Sequence, residues 1–211
     1  MLLALEGIAG AGKSTVRDRV LAAATAEGHL IAHVGQFSWL SLEATRTIIG
    51  LRAGRAATTN SRAAAAVRRD LELHARHNLI PTLSCGSVIA DRLTLSTACL
   101  LALVHRRPVA HYVRELARAH APRPQLTVVL TTDPSLCQTR LAQRPTPRRF
   151  GEDPTTTAQL AQMFDQAATA WTRETGLAVL RQPCATRTDL DLLVSACLDR
   201  LRACAECPSR T

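Results

Sequence analysis

With 211 residues and 46% hydrophobic content, the chain is long enough to bury the core of one substantial α/β domain, and it holds no apolar run of bilayer-spanning length. Its formal net charge is +9 while only 3% of its residues are aromatic. Cations without interleaved stacking platforms argue against a nucleic-acid partner and point to a small, highly anionic ligand.

The first predicted element is a buried strand at Leu2-Leu3-Ala4-Leu5. It runs into Glu6-Gly7-Ile8-Ala9-Gly10-Ala11-Gly12-Lys13-Ser14-Thr15, which satisfies the phosphate-loop pattern G-x-x-x-x-G-K-[ST], and Ser14 to about Glu27 reads as the helix that must follow. Gly7, Gly10 and Gly12 leave backbone N–H groups unobstructed for phosphate oxygens, and the helix N-terminus adds partial positive charge. Lys13 is the sole lysine, all 25 other basic residues being arginine; a flexible ammonium can follow a moving phosphoryl group where a planar guanidinium cannot. Gly7, Gly10, Ala11, Gly12, Lys13, Ser14 and Thr15 are therefore the candidate ATP-binding set, with Lys13 bridging the β- and γ-phosphates and the Ser14 hydroxyl on Mg²⁺.

Further along, a second strand is expected over His29 to Val34, then helices over Leu40 to Leu51 and Ser61 to Asn78. Ser87 to Ala90 reads as a strand ending at Asp91-Arg92, followed by helices over Leu93 to Arg107 and Pro108 to His120, with Pro108 setting the break. Leu126 to Thr132 is another buried strand, and Asp133-Pro134 caps a short helix. An arginine-rich, proline-rich loop spans Arg144 to Pro154; Thr155 to Glu174 is helical, Leu177 to Leu180 a last strand, and Thr188 to Arg202 a last helix. Strands alternating with helices require a parallel sheet, and no repeat or linker divides the chain, so residues 1–211 form a single domain. The first strand begins at Leu2, which leaves no room for a signal peptide, and an odd number of cysteines, seven, sits mostly in apolar segments. Both predict a cytoplasmic protein with reduced thiols. Cys204 and Cys207 have redox or zinc spacing, but an isolated pair equally fits ordinary thiols.

Two further groups carry chemistry. Asp91 and Arg92 stand at the carboxyl end of a strand, where ligands of open α/β sheets collect; the acid can hold a Mg²⁺ shell or deprotonate an acceptor, and the arginine can grip a phosphate. A strand-end salt bridge is the plainer reading. Arg140, Arg144, Arg148 and Arg149 can close over a transferring phosphoryl group and exclude water, or simply form a solvated basic loop.

Glu6 to Thr15, Asp91-Arg92 followed by Ser96, and Leu126 to Pro134 leading to Arg140 and Arg144 together resemble the thymidylate kinase branch of the nucleoside and nucleotide kinases. The resemblance implies a three-layer phosphate-loop kinase fold, a five-stranded parallel sheet flanked by helices, with a mobile lid at about 144–153. It also implies γ-phosphoryl transfer from Mg-ATP to a nucleotide or nucleoside, Arg140 near the adenine, Arg92 near the acceptor, and a plausible homodimer. The acceptor half departs from the family pattern: Ala9 replaces an acid, Gly35-Gln36-Phe37-Ser38-Trp39 replaces an Arg-Glu-Pro-Gly-Gly type segment, and Leu100-Leu101 replaces Tyr-Gln. Phe37 and Trp39 could stack on an acceptor or pack in the core; with Arg92 and Ser96 they are the candidate acceptor contacts. No acid lies between Glu27 and Glu43, so a hydroxyl acceptor would need Asp91 or Glu6 as base, whereas a monophosphate brings its own nucleophilic oxygen. The expected activity is a kinase acting on a nucleoside monophosphate or related small acceptor. The alternatives are a nucleoside or specialised-metabolite alcohol kinase, or a nucleotide-binding regulator or nucleic-acid-associated NTPase.

Overall fold

The computed structural model describes residues 1–56 and 58–205; Cys207 lies outside them. Strand β1 (Leu2–Gly7) is buried along its length because it is the middle of a five-stranded parallel sheet of order β2-β3-β1-β4-β5. Its neighbours are β3 (Ser87–Asp91) and β4 (Leu126–Leu130), with β2 (Ile31–Val34) and β5 (Val179–Gln182) at the edges. A strand covered on both faces reads as a nearly continuous apolar run; Leu2 to Leu5 is one, and Leu126 to Leu130 is broken only by the buried Thr127.

Alternate side chains leave opposite faces of the sheet. Leu3, Leu5 and Ile89 join one large cluster with Tyr112, Phe164 and Trp171, while Leu2, Ala4, Val88 and Ala90 pack with Leu71, Leu79 and Leu93. The helices are α1 (Lys13–Ala26), α2 (Leu42–Arg52), α3 (Asn60–His74), α4 (Ile80–Cys85), α5 (Thr94–His105), α6 (Val109–Ala117), α7 (Pro134–Ala142), α8 (Pro154–Thr175) and α9 (Arg187–Ala205). Asp133 and Asp153 cap α7 and α8, accepting from Ser135 N and Thr156 N at 2.8 and 2.9 Å.

Several bounds move by two or three residues from the sequence expectation, as where β2 begins at Ile31 rather than His29 and α6 ends at Ala117 rather than His120; two elements differ in a way that has a physical reason. The third helix does not stop at Asn78; α3 passes through a π turn, Ala75–Leu79, into α4, so that the helical path continues across Pro81. Proline has no N–H to donate, and the wider turn before it resets the hydrogen-bond ladder. The last strand lies at Val179–Gln182 rather than Leu177 to Leu180, because pairing of Thr127 with Val179 and of Leu130 with Gln182 recruits polar residues into the ladder.

One contact sets where the loops at the carboxyl edge of the sheet can go. The Glu6 carboxylate is 1% exposed and caps α5 from β1. Oε1 accepts from Leu93 N and Leu95 N at 3.0 Å each; Oε2 accepts from Ser96 N at 3.0 Å and from Ser96 Oγ. Burial raises its pKa, while the Ser96 bonds and the nearby Arg92 pull the other way. Truncation strands several buried donors, each costing about 1–3 kcal/mol. Glu6→Ala is therefore expected to lower the unfolding free energy by about 3 kcal/mol or more, and Glu6→Gln by less, in urea titrations; equal stability of Glu6→Ala and the wild type would show that the cap is dispensable.

Candidate active site

The phosphate loop is a turn only glycine could make. Gly10 has φ 80° and Gly12 φ 105°. A Cβ at Gly10 would meet the Cys137 carbonyl oxygen at 2.6 Å, and one at Gly12 the Cys184 Sγ at 2.9 Å. Two side chains from beyond the loop brace it. Thr132 Oγ1 donates to Ala11 O and accepts from Cys184 N, both at 2.9 Å. Arg140 donates to Gly10 O at 3.3 Å, Cys184 O at 2.9 Å and Ala185 O at 3.1 Å, tying the loop to the segment between β5 and α9. Inside it, Lys13 Nζ donates to Gly7 O at 3.0 Å and Ile8 O at 2.6 Å. Burial and the neighbouring Arg92 hold this lysine well below its usual range, so an arriving phosphate would restore the charge partner that desolvation denies it.

A cavity of about 780 Å³ opens over this loop, bordered by Ser14, Thr15, Arg140, Arg144, Arg149 and the 184–187 segment. A second, of about 680 Å³, is bordered by Phe37, Trp39, Arg52, Ser96 and the apolar faces of α5 and α8. Ala9, Asp91, Arg92, Arg149 and Glu152 border both, so the cavities meet where a group could pass from one to the other.

The family model for thymidylate kinase matches residues 5–175. A probable thymidylate kinase of Archaeoglobus fulgidus is 30% identical over 148 residues, covering 68% of this chain and 70% of that protein. The chain belongs to the thymidylate kinase family. It is accordingly an ATP-dependent kinase that carries out nucleotide phosphotransfer, and the five-stranded parallel sheet flanked by helices is the fold of that family. Among the described residues no helix is long and apolar enough to cross a membrane.

Where these two cavities of the kinase meet, Asp91 is engaged by Arg17 of α1, whose Nη1 lies 2.9 Å from Asp91 Oδ2. Arg92, held at φ 71°, donates from Nη1 to Gly7 O at 2.8 Å and to Ser96 Oγ at 3.0 Å. Ser96 passes this on to Glu6, so its hydroxyl is already committed, and Glu6 itself faces the start of α5 and borders neither cavity. Ser14 and Thr15 are exposed on the first cavity. No cluster of three His, Cys, Asp or Glu suited to a metal occurs among the described residues. Mg²⁺ keeps several waters and takes one or two protein ligands beside substrate phosphates; Ser14 and Asp91 border the same cavity and are the residues that would hold it.

The arginines of the 144–153 segment differ in what they touch. Arg144 pairs with Glu152 at 2.5 and 3.3 Å. Burial pushes the Glu152 carboxyl up, but Arg144 and the Arg149 N–H, 2.8 Å away, outweigh it and hold the group below the usual range. Arg148 donates to Gln138 Oε1 and, at 2.7 Å, to Glu152 O, and it borders neither cavity. Arg149 borders both cavities, and its guanidinium has no hydrogen-bond partner among the described residues. Phe150 rests on Gly54, where an added Cβ would stand 2.6 Å from the ring.

The wall of the second cavity depends on α3, which the sequence did not single out. Asp70, 1% exposed, accepts from Ser38 N at 3.0 Å, Ser38 Oγ at 2.6 Å and Trp39 N at 3.1 Å. One turn on, His74 Nε2 lies 3.0 Å from Gly35 O and Nδ1 2.9 Å from Asn78 Nδ2. A carbonyl can only accept, so the proton sits on Nε2 and Nδ1 accepts from Asn78. Phe37 is buried and Trp39 half exposed; both border the second cavity.

Burial lowers the His74 pKa from the 6.5 of an exposed histidine. The unfolded chain then binds more protons below that value, and the stability His74 contributes is complete above pH 6.5 and lost as pH falls through its native pKa. Unfolding free energies measured between pH 7.5 and about 5 should fall on acidification, and His74→Gln should show a shallower fall; parallel curves would assign the acid sensitivity elsewhere.

Proposed function

We propose that this kinase transfers the γ-phosphoryl group of Mg-ATP to the phosphate oxygen of a nucleoside monophosphate. The observation that carries this is the state of the acids near the junction. Glu152 is bound by Arg144 and by the Arg149 N–H, Asp91 by Arg17, and Glu6 is enclosed at the start of α5. A phosphate nucleophile arrives ionised and needs none of them as base. A second reading, a nucleoside or other alcohol as acceptor, has one point in its favour: Asp91 Oδ1 has no partner among the described residues.

ATP would lie in the cavity over the phosphate loop, with Gly7 to Gly12 lining its phosphates and Arg140 beside its base through the 184–185 segment. Lys13 would turn from Gly7 O and Ile8 O to the β- and γ-phosphates. Bound Mg²⁺, held by Ser14 and the Asp91 side, would neutralise charge between those phosphates. Arg149 is the cation suited to the equatorial oxygens in flight, since it borders both cavities without a partner of its own. Arg144 and Arg148 act on this reading by fixing the lid backbone through Glu152. Phe37, Trp39 and Arg92 would receive the acceptor.

Transfer from labelled ATP to a panel of nucleoside monophosphates, nucleosides and small alcohols tests this. Product from a monophosphate is expected, abolished by EDTA and restored by Mg²⁺; product only from unphosphorylated alcohols would replace it with the second reading. Lys13→Ala should lose about a hundredfold or more in kcat/KM. Arg149→Ala should lose about a thousandfold in kcat with an unchanged melting temperature, and Arg148→Ala much less. Full activity of Lys13→Ala would remove the central assignment.

A further inference from the structure

A third cavity, of about 780 Å³, is bordered by the end of α5, the first turns of α8 and Phe150 of the 144–153 segment. It equals the cavity over the phosphate loop in size and has no bordering residue in common with it. With the second cavity it shares only Leu103 and Phe150.

Its wall has two characters. Leu103, Pro108, Phe150 and Met163 supply apolar surface, and Arg106 and Arg107 supply two adjacent guanidiniums. No acid borders it among the described residues, and neither guanidinium has an ion-pair or hydrogen-bond partner among them. Asp153, just before α8, is committed to that helix as the acceptor from Thr156 N. The corner that carries the arginines is fixed: α5 ends at Arg106 with φ 51°, Arg107 N donates back to Ala102 O at 3.2 Å, and Pro108 leads into α6. Their charge is felt inside the protein, where burial and Arg107 together lower the His105 pKa and no acid raises it. Thr156 and Gln159, three positions apart and so on one face of α8, add a hydroxyl and an amide.

A cavity of this volume with an apolar wall and a few polar groups has the form of a small-molecule site. Part of what fills this one must be anionic, and two guanidiniums answer a dianion better than a single charge. Phe150 links the cavity to the catalytic ones. Its ring rests on Gly54, where φ 72° and the lack of a Cβ leave room for it. Beside it in the chain is Arg149, which borders both of the other cavities. A molecule filling the third cavity packs on Phe150 and holds the Arg149–Phe150 peptide where it stands.

We infer that the third cavity is a regulatory site for a phosphomonoester with an apolar or aromatic body, whose phosphate lies on Arg106 and Arg107 and whose occupancy steadies the Arg149–Phe150 segment. This holds for either acceptor reading, since the cavity is separate from the donor loop and meets the second cavity only at two apolar side chains.

Naphthyl phosphate is the probe, titrated calorimetrically into the full chain with the donor cavity saturated by Mg²⁺ and the non-hydrolysable analogue AMP-PNP. One saturable site is expected, with an affinity about tenfold or more above those of naphthoate and inorganic phosphate. Arg106→Asn combined with Arg107→Gln should weaken it by about tenfold or more, with melting temperature and phosphotransfer unchanged. Both residues are exposed and border neither catalytic cavity, and asparagine tolerates the left-handed backbone at 106. Limited trypsin digestion, read by mass spectrometry at the Arg149–Phe150 bond, should be slowed by the probe about fivefold or more in the wild type and not in the double variant. No saturable binding, or binding that persists in the double variant, overturns the site. Equal affinity for inorganic phosphate overturns its apolar half, and binding without protection of the 149–150 bond overturns the link to Phe150.

Discussion

A carboxylate buried at the end of the central strand holds the carboxyl edge of this sheet together. Glu6 closes the start of α5, and through Ser96 it anchors Arg92, whose guanidinium returns to Gly7 at the mouth of the phosphate loop. The strand that launches the loop and the strand that delivers Asp91 are thereby locked at their ends as well as along their ladder. An acid in this position is unfavourable on its own, and it is tolerated because both oxygens are filled by donors from a helix that has no side-chain cap of its own.

The two halves of the site are stabilised in different ways. The donor half is braced by backbone acceptors: Thr132 and Arg140 fasten the phosphate loop to the 184–185 segment with no carboxylate involved. The acceptor half is braced by a buried acid and a neutral histidine on α3, both directed at the five residues after β2. Between them the 144–153 segment arranges three arginines around one glutamate, leaving the guanidinium of Arg149, which borders both cavities, uncommitted among the described residues.

Sequence reasoning reached the parts whose meaning is local. The phosphate loop, the alternation of strands and helices, the Asp91-Arg92 strand end and the cap at Asp133 all lie within short spans, and the fold that the resemblance implied is the fold found. What it missed depends on partners distant along the chain. Glu6 meets Leu93 across 87 positions and Thr132 meets Ala11 across 121; nothing in either residue's neighbourhood announces the pairing. Nothing near Asp70 in the sequence marks it, because the loop it holds is 32 positions away. The displaced β5 shows the same thing for backbone: register with β4 outweighed the apolarity of Leu177. Among the arginines, spacing alone could not separate Arg149 from Arg148, since their difference is whether Gln138 and the Glu152 carbonyl are within reach.

That the two cavities share only five bordering residues bears on how such an enzyme can diversify. Changes in α2, α3 and the segment after β2 can rewrite which acceptor is admitted while the braces on the phosphate loop stay as they are. On the monophosphate reading, acceptor choice is then free to drift in a lineage at little risk to the machinery that handles ATP.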